Sequence, residues 1–280
     1  TEPSRIILVG AVESTAVALE RLCRHDLKPE LLITIPDDRR GMHSDFVDVA
    51  GLASHHSIDV LRTLNVSRPE ILECVRHIRP DYIFVIGWSR LCGSEFRGCA
   101  RLGVLGYHPT LLPKLRGRSA LAWTILLDLR ETGGTLFWID EGTDTGAIAA
   151  QNRFPLSGRV ALGELMDMQM TALGDMLDEL LPKLKAGECP QQPQQHASAT
   201  YVTPRRPEDG LIDWTEEAAA VDRLVRAVSR PYPGAFTYWN GLKVIIWKAE
   251  PVSYPHWFAQ VGQVFLYEDG CPVVRCAGGT

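Results

Sequence analysis

The chain has 280 residues, 45% of them apolar and 22% charged, which excludes wholesale disorder or a fibrous repeat and allows a sizeable core without disulfide staples. The formal charge is −5 and the pI about 5.9, and from residue 201 onward 8 Lys/Arg face 9 Asp/Glu. No basic domain is present there, which argues against a nucleic-acid partner.

No apolar run approaches the ~20 residues that span a bilayer. The N-terminus enters a strand-like run at residues 5–9 and lacks the n-region and h-region of a signal peptide. Seven cysteines without a C-x-x-C pair suggest reduced thiols, neither a disulfide framework nor a metal site, and hence a cytoplasmic location with no membrane partner. In chain order, residues 6–9 read as a strand bounded by Gly10, and Ser14 as the N-cap of a helix running to Arg24. A strand at 31–35 follows, then helical patterns at 45–55 and 69–78 and a strongly apolar strand at 82–86. A short strand at 104–105 leads into a Pro-containing loop. Beyond it come a helix at 119–127, a strand at 135–139 and a long amphipathic helix at 162–185. Apolar strands separated by helices predict an α/β domain over residues 1–190, a Rossmann-like, mostly parallel sheet with helices on both faces.

The composition changes at Gly187. Residues 187–195 hold Gly, two Pro and four Gln, which suits a linker and no core element. Residues 191–280 are expected to form a small β-rich domain resembling an OB barrel. Its elements are a helix at 215–228, a hairpin about Asn240-Gly241 and a second turn at Glu268-Asp269-Gly270. A fifth barrel strand would have to come from residues 198–203 or from a longer chain. Trp214, Trp239 and Trp247 are expected in its core.

In an open α/β sheet, ligands bind beyond the carboxyl ends of the strands. The first such loop, Gly10-Ala-Val-Glu-Ser14, lacks G-x-G-x-x-G, and Glu13 would repel a pyrophosphate, so a dinucleotide is not expected. The informative pair is His108-Pro-Thr-Leu-Leu-Pro113, continuing to Arg116-Gly-Arg118, with Asp140-Glu-Gly-Thr-Asp144-Thr-Gly146. A histidine at one strand end and a carboxylate at a neighbouring one form a general acid–base unit, the carboxylate orienting the ring and raising its basicity. The alternative is a surface histidine and a solvated acidic turn.

Gly106-Tyr-His-Pro-Thr-Leu-Leu-Pro113 with Arg116-Gly117, followed by Asp140-Glu-Gly-Thr-Asp-Thr-Gly146, resembles the signature of the 10-formyltetrahydrofolate-dependent formyltransferases. The resemblance extends to residues 81–88, to Asp209-Gly-Leu-Ile-Asp-Trp214, and to Arg230-Pro-Tyr-Pro-Gly-Ala-Phe236, the last closest to enzymes acting on nucleotide-linked amino sugars. It implies His108 and Asp144 as catalytic residues and 10-formyltetrahydrofolate as formyl donor. The folate would be held by main-chain groups of Ile86, Gly87 and Trp88, with Leu91, and by those of Ile139, Asp140, Gly142 and Asp144. The acceptor would be a small-molecule amine, with Tyr107, Arg116, Gly117 and Arg118 beside it. Arg116 either clamps an acidic group of that substrate or pairs with the 140–144 loop. One departure stands out: the family's transferases usually carry Asn, an oxyanion donor, at the position of Gly106. A main-chain N–H, a water or the Tyr107 hydroxyl would have to replace it, or the reaction is hydrolysis of the donor, or the protein binds folate with impaired turnover. Methionyl-tRNA formyltransferase is a further alternative. Trp88 either stacks on a ligand or closes the core. The His43-Ser-Asp45 stretch either borders the acceptor or caps a helix, and His55-His56 reads as solvated surface.

Overall fold

The computed structural model describes residues 4–42 and 46–277; the His43-Ser-Asp45 stretch lies outside them. The chain forms two compact units. The first comprises Thr1–Gly117, Glu131–Phe154 and Asp167–Val202, and the second Arg118–Arg130, Pro155–Met166 and Thr203–Thr280.

In the first unit the elements run β1 (Ile6–Val9), α1 (Glu13–Arg24), β2 (Leu31–Thr34), α2 (Val49–His55), β3 (Asp59–Arg62), α3 (Pro69–Ile78), β4 (Tyr82–Val85), α4 (Ser94–Arg97), β5 (Gly103–His108) and β6 (Arg116–Gly117). The segment Ala120–Leu126, helix α5, belongs to the second unit. Strands β7 (Glu131–Trp138) and β8 (Ile148–Pro155) follow, then helix α6 (Leu162–Lys185) and strand β9 (Tyr201–Val202). Seven strands make one sheet in the order β3-β2-β1-β4-β5-β7-β8, parallel from β3 to β5, with β7 antiparallel to β5.

Successive residues of a strand point to opposite faces, and the core divides accordingly. Ile6, Leu8, Leu32, Phe84 and Leu105 join the apolar faces of α1, α2 and α6 on one side. Ile7, Val9, Ile33, Val85 and Val104 join α3 and Phe96 on the other. The helix α3 starts with Pro69 at its first position, where a missing N–H costs nothing, and ends at the left-handed Arg79. Helix α1 begins one residue before Ser14, with Val12 at the N-cap. The Thr15 hydroxyl accepts from the Val12 N–H, so Thr15 does the capping expected of Ser14.

That threonine also lies where the strand order reverses, between β1 and β4. Its hydroxyl donates to the Ile86 carbonyl at 2.7 Å, while Ala11 N–H reaches Gly87 O and Ile86 N–H reaches Val9 O. At this strand reversal, the usual ligand crevice of an open α/β sheet, the loops after β1 and β4 are thus tied to each other.

In the second unit α5 packs on α7 (Ala218–Ala227), and the buried Asp222 pairs with Arg159 and Arg226 at 3.2 and 2.9 Å. Strands β10 (Ala235–Trp239) and β11 (Leu242–Ile246) form the hairpin expected about Asn240-Gly241, and β12 (Val264–Glu268) with β13 (Cys271–Val274) forms another. Among the described residues these remain two ribbons, not one closed barrel. The strand sought at 198–203 is β9, and it pairs with β6 in the first unit. Because a two-stranded ribbon leaves a face uncovered, Trp239 and Trp247 are exposed rather than core, and Trp214 is half-buried with its N–H on Thr237.

Candidate active site

Alternation along β5 decides what faces the site. Leu105 and Tyr107 point to the α6 side, Val104, Gly106 and His108 to the opposite face. Tyr107 is therefore removed from the chemistry expected of it. Its hydroxyl donates to the side-chain and main-chain oxygens of Gln169 on α6, and burial raises its pKa, keeping it a phenol.

His108 is buried, 5% exposed. Its Nε2 lies 2.7 Å from the Leu115 carbonyl, an acceptor only, so Nε2 carries the proton and Nδ1 presents its lone pair. Nδ1 faces Asp144 Oδ2 across 3.6 Å, too far for a direct hydrogen bond. The two groups meet by a route other than neighbouring strand ends. Since β7 runs antiparallel to β5, its carboxyl end lies beside Leu105 and Val104, where Ile139 N–H bonds the Val104 carbonyl. The 139–147 loop then doubles back to bring Asp144 to the ring.

Burial pushes the His108 pKa below the usual histidine value, while the Asp144 charge and the Leu115 carbonyl pull it back up by less. The imidazole is thus neutral at neutral pH and available as a base. An acid limb in the pH–rate profile is expected to fall below ~6.5, the ordinary histidine value. Asp144→Asn, which removes an upward influence, is expected to move that limb lower still. The same shift makes folding pH-dependent. The unfolded chain binds a proton at His108 where the folded one does not, so this contribution to stability is present above ~6.5 and lost as pH falls toward the depressed folded value. Stopped-assay rates and thermal melts across pH 5–8 check both signs.

Asp144 adopts a left-handed conformation, φ 54°, as does Leu115. Backbone strain of this kind, about 1–2 kcal/mol per residue, thus falls on the two residues that flank the imidazole. Asp144 is held by the Gly117 N–H, which donates to Oδ2 at 2.8 Å. Gly117 therefore positions the carboxylate.

Arg116 departs further from expectation. It is 1% exposed and neither reaches outward nor pairs with the acidic loop. Its Nε and Nη2 donate to Gln194 Oε1 at 3.2 and 2.6 Å, Nη1 to the Tyr201 hydroxyl at 3.0 Å, and Nη2 to His196 Nδ1 at 3.0 Å. The Gln194 Nε2 donates to the carbonyls of Asp144 and Gly146 at 2.9 and 2.7 Å. Gln194, in the stretch expected to be a linker, is thus buried at the back of the loop. Its signal in sequence is only a polar residue amid prolines, and its partners lie far away in the chain. Arg118, the first residue of the second unit, is exposed.

Of the groups expected to hold folate, Ile86 has its amide on Val9 and its carbonyl on Thr15, and the Gly87 carbonyl accepts from Ala11. These three main-chain groups bond within the protein. Trp88 packs against the α3-side core, and its indole N–H is buried without a partner among the described residues, which leaves one donor of this loop unspent. The Leu91 side chain is 89% exposed. Asp140 Oδ1 accepts from the Gly142 N–H and the Thr145 hydroxyl, so that carboxylate shapes the turn itself. The Ile139 side chain covers Gly106: a Cβ built there would lie 3.0 Å from Ile139 Cδ1 and 3.2 Å from Phe137 Cε1.

Residues 15–173 match the family described as Formyl transferase, and residues 205–280 its C-terminal domain, described as Formyl transferase, C-terminal domain. The chain belongs to the formyl transferase family. A methionyl-tRNA formyltransferase of Syntrophus aciditrophicus (strain SB) is 31% identical to this formyl transferase over 263 residues, spanning 92% of the chain and 84% of the relative. Among solved structures, a sugar N-formyltransferase from Shewanella sp FDAARGOS_354 superposes with a TM-score of 0.71 at 16% identity, covering 89% of this chain and 99% of that one. HypX from Aquifex aeolicus, in complex with tetrahydrofolic acid, gives 0.68 at 19% identity. That match covers 99% of this chain and 43% of HypX, so the chain spans under half the length of HypX. At such identities the superpositions establish the formyl transferase fold. No helix among the described residues is long and apolar enough to cross a membrane.

Proposed function

We propose that the protein is an N-formyltransferase that moves a formyl group from 10-formyltetrahydrofolate to the amine of a small molecule, an amino sugar or an amino-acid-derived metabolite. The observation that carries this reading is the His108 Nδ1 lone pair facing Asp144 Oδ2 across 3.6 Å. Two acceptors at that spacing suit a primary amine, which can sit at ~2.9 Å from each and donate one N–H to His108 and another to Asp144.

The donor supplies an electrophilic formyl carbon and a leaving nitrogen. Neutral His108 takes the proton of the attacking amine at Nδ1, and the new N–H points at the Asp144 carboxylate, which stabilises the imidazolium. The Leu115 carbonyl keeps the ring in place through both protonation states. His108 then returns the proton to the departing nitrogen. With Gly106 bare and the Tyr107 hydroxyl on the far face, the oxyanion is left to a main-chain N–H or a water.

Incubation with 10-formyltetrahydrofolate and a panel of amines, with methionyl-tRNA as one member, tests the reading. Tetrahydrofolate release only in the presence of a small amine is expected. Release that requires methionyl-tRNA would move the acceptor to RNA. Formate release without any acceptor would favour hydrolysis, the second reading, which the missing side chain at Gly106 supports. Binding of a folate analogue with no turnover would leave a binding protein.

The cover over Gly106 bears on the same question. Gly106→Asn must push Ile139 aside and is expected to cost ~1–3 kcal/mol of stability, seen as a lower melting temperature. Adding Ile139→Ala should restore part of it. A fall in transfer rate is expected for the double variant, because the new amide displaces whatever donor now serves. A gain would mark the native site as impaired for transfer.

A further inference from the structure

We infer that Gln194 is a positioning residue for the reaction, its amide clamping the main chain of the Asp144 loop to the buried Arg116 so that the carboxylate stays within reach of His108. The inference deepens the formyl-transfer reading and rests on Asp144 being the acid partner in it. Three observations lead to it. Every hydrogen-bonding capacity of the amide is committed: Oε1 accepts twice from Arg116, and Nε2 donates to Asp144 O and Gly146 O. One of those bonds ends on Asp144 itself, at a residue whose left-handed backbone needs outside support. Arg116 is in turn immobilised by Tyr201 and His196 and precedes Gly117, whose N–H grips the carboxylate of the same aspartate. The side chain and the main chain of Asp144 are thus fixed from adjacent residues of β6, one directly and one through Gln194.

The substitution Gln194→Glu separates clamping from general support. A carboxylate still accepts from Arg116, as an ion pair, but has no proton to give to the two carbonyls. A folded protein with a lowered melting temperature is expected, since two carbonyls lose their donor while the Arg116 contact is kept. The Gly117 amide should exchange its hydrogen with solvent at least ~10-fold faster, because its acceptor is no longer held in place. The kcat for formyl transfer should fall at least ~10-fold with a smaller change in amine KM. Gln194→Met, which loses donor and acceptor at similar volume, should accelerate the same amide.

Native-like Gly117 exchange and kcat in a folded Gln194→Glu protein would overturn the inference. Failure of both variants to fold would also overturn it, assigning Gln194 to the core alone. The exchange measurement does not depend on catalysis. Native protein that transfers no formyl group would therefore remove the functional reading while the clamp is still tested.

Discussion

His108→Gln is expected to lower turnover by about 10²–10⁴, the usual range for a lost general base, while the protein folds. Gln is suited to the test because its Nε2 can keep the donation to the Leu115 carbonyl that the imidazole makes at 2.7 Å. What it lacks is a nitrogen that accepts and then returns a proton. Alanine would confound the result, since His108 is buried and its removal leaves both a cavity and an unpaired carbonyl. Asp144→Asn is the companion. Its side-chain oxygen still accepts from the Gly117 N–H, but no charge remains to stabilise the imidazolium, and a loss of at least ~10² is expected. Tetrahydrofolate release, with circular dichroism to verify folding, measures both. Full activity in either variant removes the mechanism.

The second large effect is expected of Gly117→Ala. At φ 111° an L side chain is strained, and a Cβ there would overlap the Val202 carbonyl. Backbone atoms of the paired strand cannot rotate away as a side chain would. Relief requires parting β6 from β9, where Arg116↔Tyr201 and Gly117↔Val202 are in register. That movement withdraws the amide holding Asp144 and disturbs Arg116 together with its partner Tyr201. A loss of at least ~3 kcal/mol of stability is expected, with a drop in turnover as large as that of Asp144→Asn. Urea unfolding and the transfer assay measure the two. An alanine variant with native stability would mean that β9 yields more readily than its contacts indicate.

Much of the frame was legible in the sequence. Helices α3 and α6 coincide with the expected 69–78 and 162–185, because apolar periodicity, Pro69 and length all agree. The edge strands β3 and β8 were missed for a physical reason. Asp59–Arg62 is four residues with charged ends, and Ile148–Pro155 is largely half-exposed, so neither shows the apolar run that marks a central strand. His108 and Asp144 were legible as chemistry, but the direction of β7 was not, since no local signal tells a parallel from an antiparallel neighbour. Arg116 carried the wrong expectation because charge alone suggests an outward-facing group. The sequence does not show that Gln194, Tyr201 and His196 supply enough neutral acceptors to keep a guanidinium buried.

The reversal of β7 makes the length of the 139–147 loop a ruler for catalysis. Each residue of extended chain spans ~3.3–3.6 Å, about the whole 3.6 Å between imidazole and carboxylate. Insertion or deletion of one residue between Trp138 and Asp144 would therefore miss the ring by the width of the gap it has to close. The length of this loop is thus a constraint on the site in its own right.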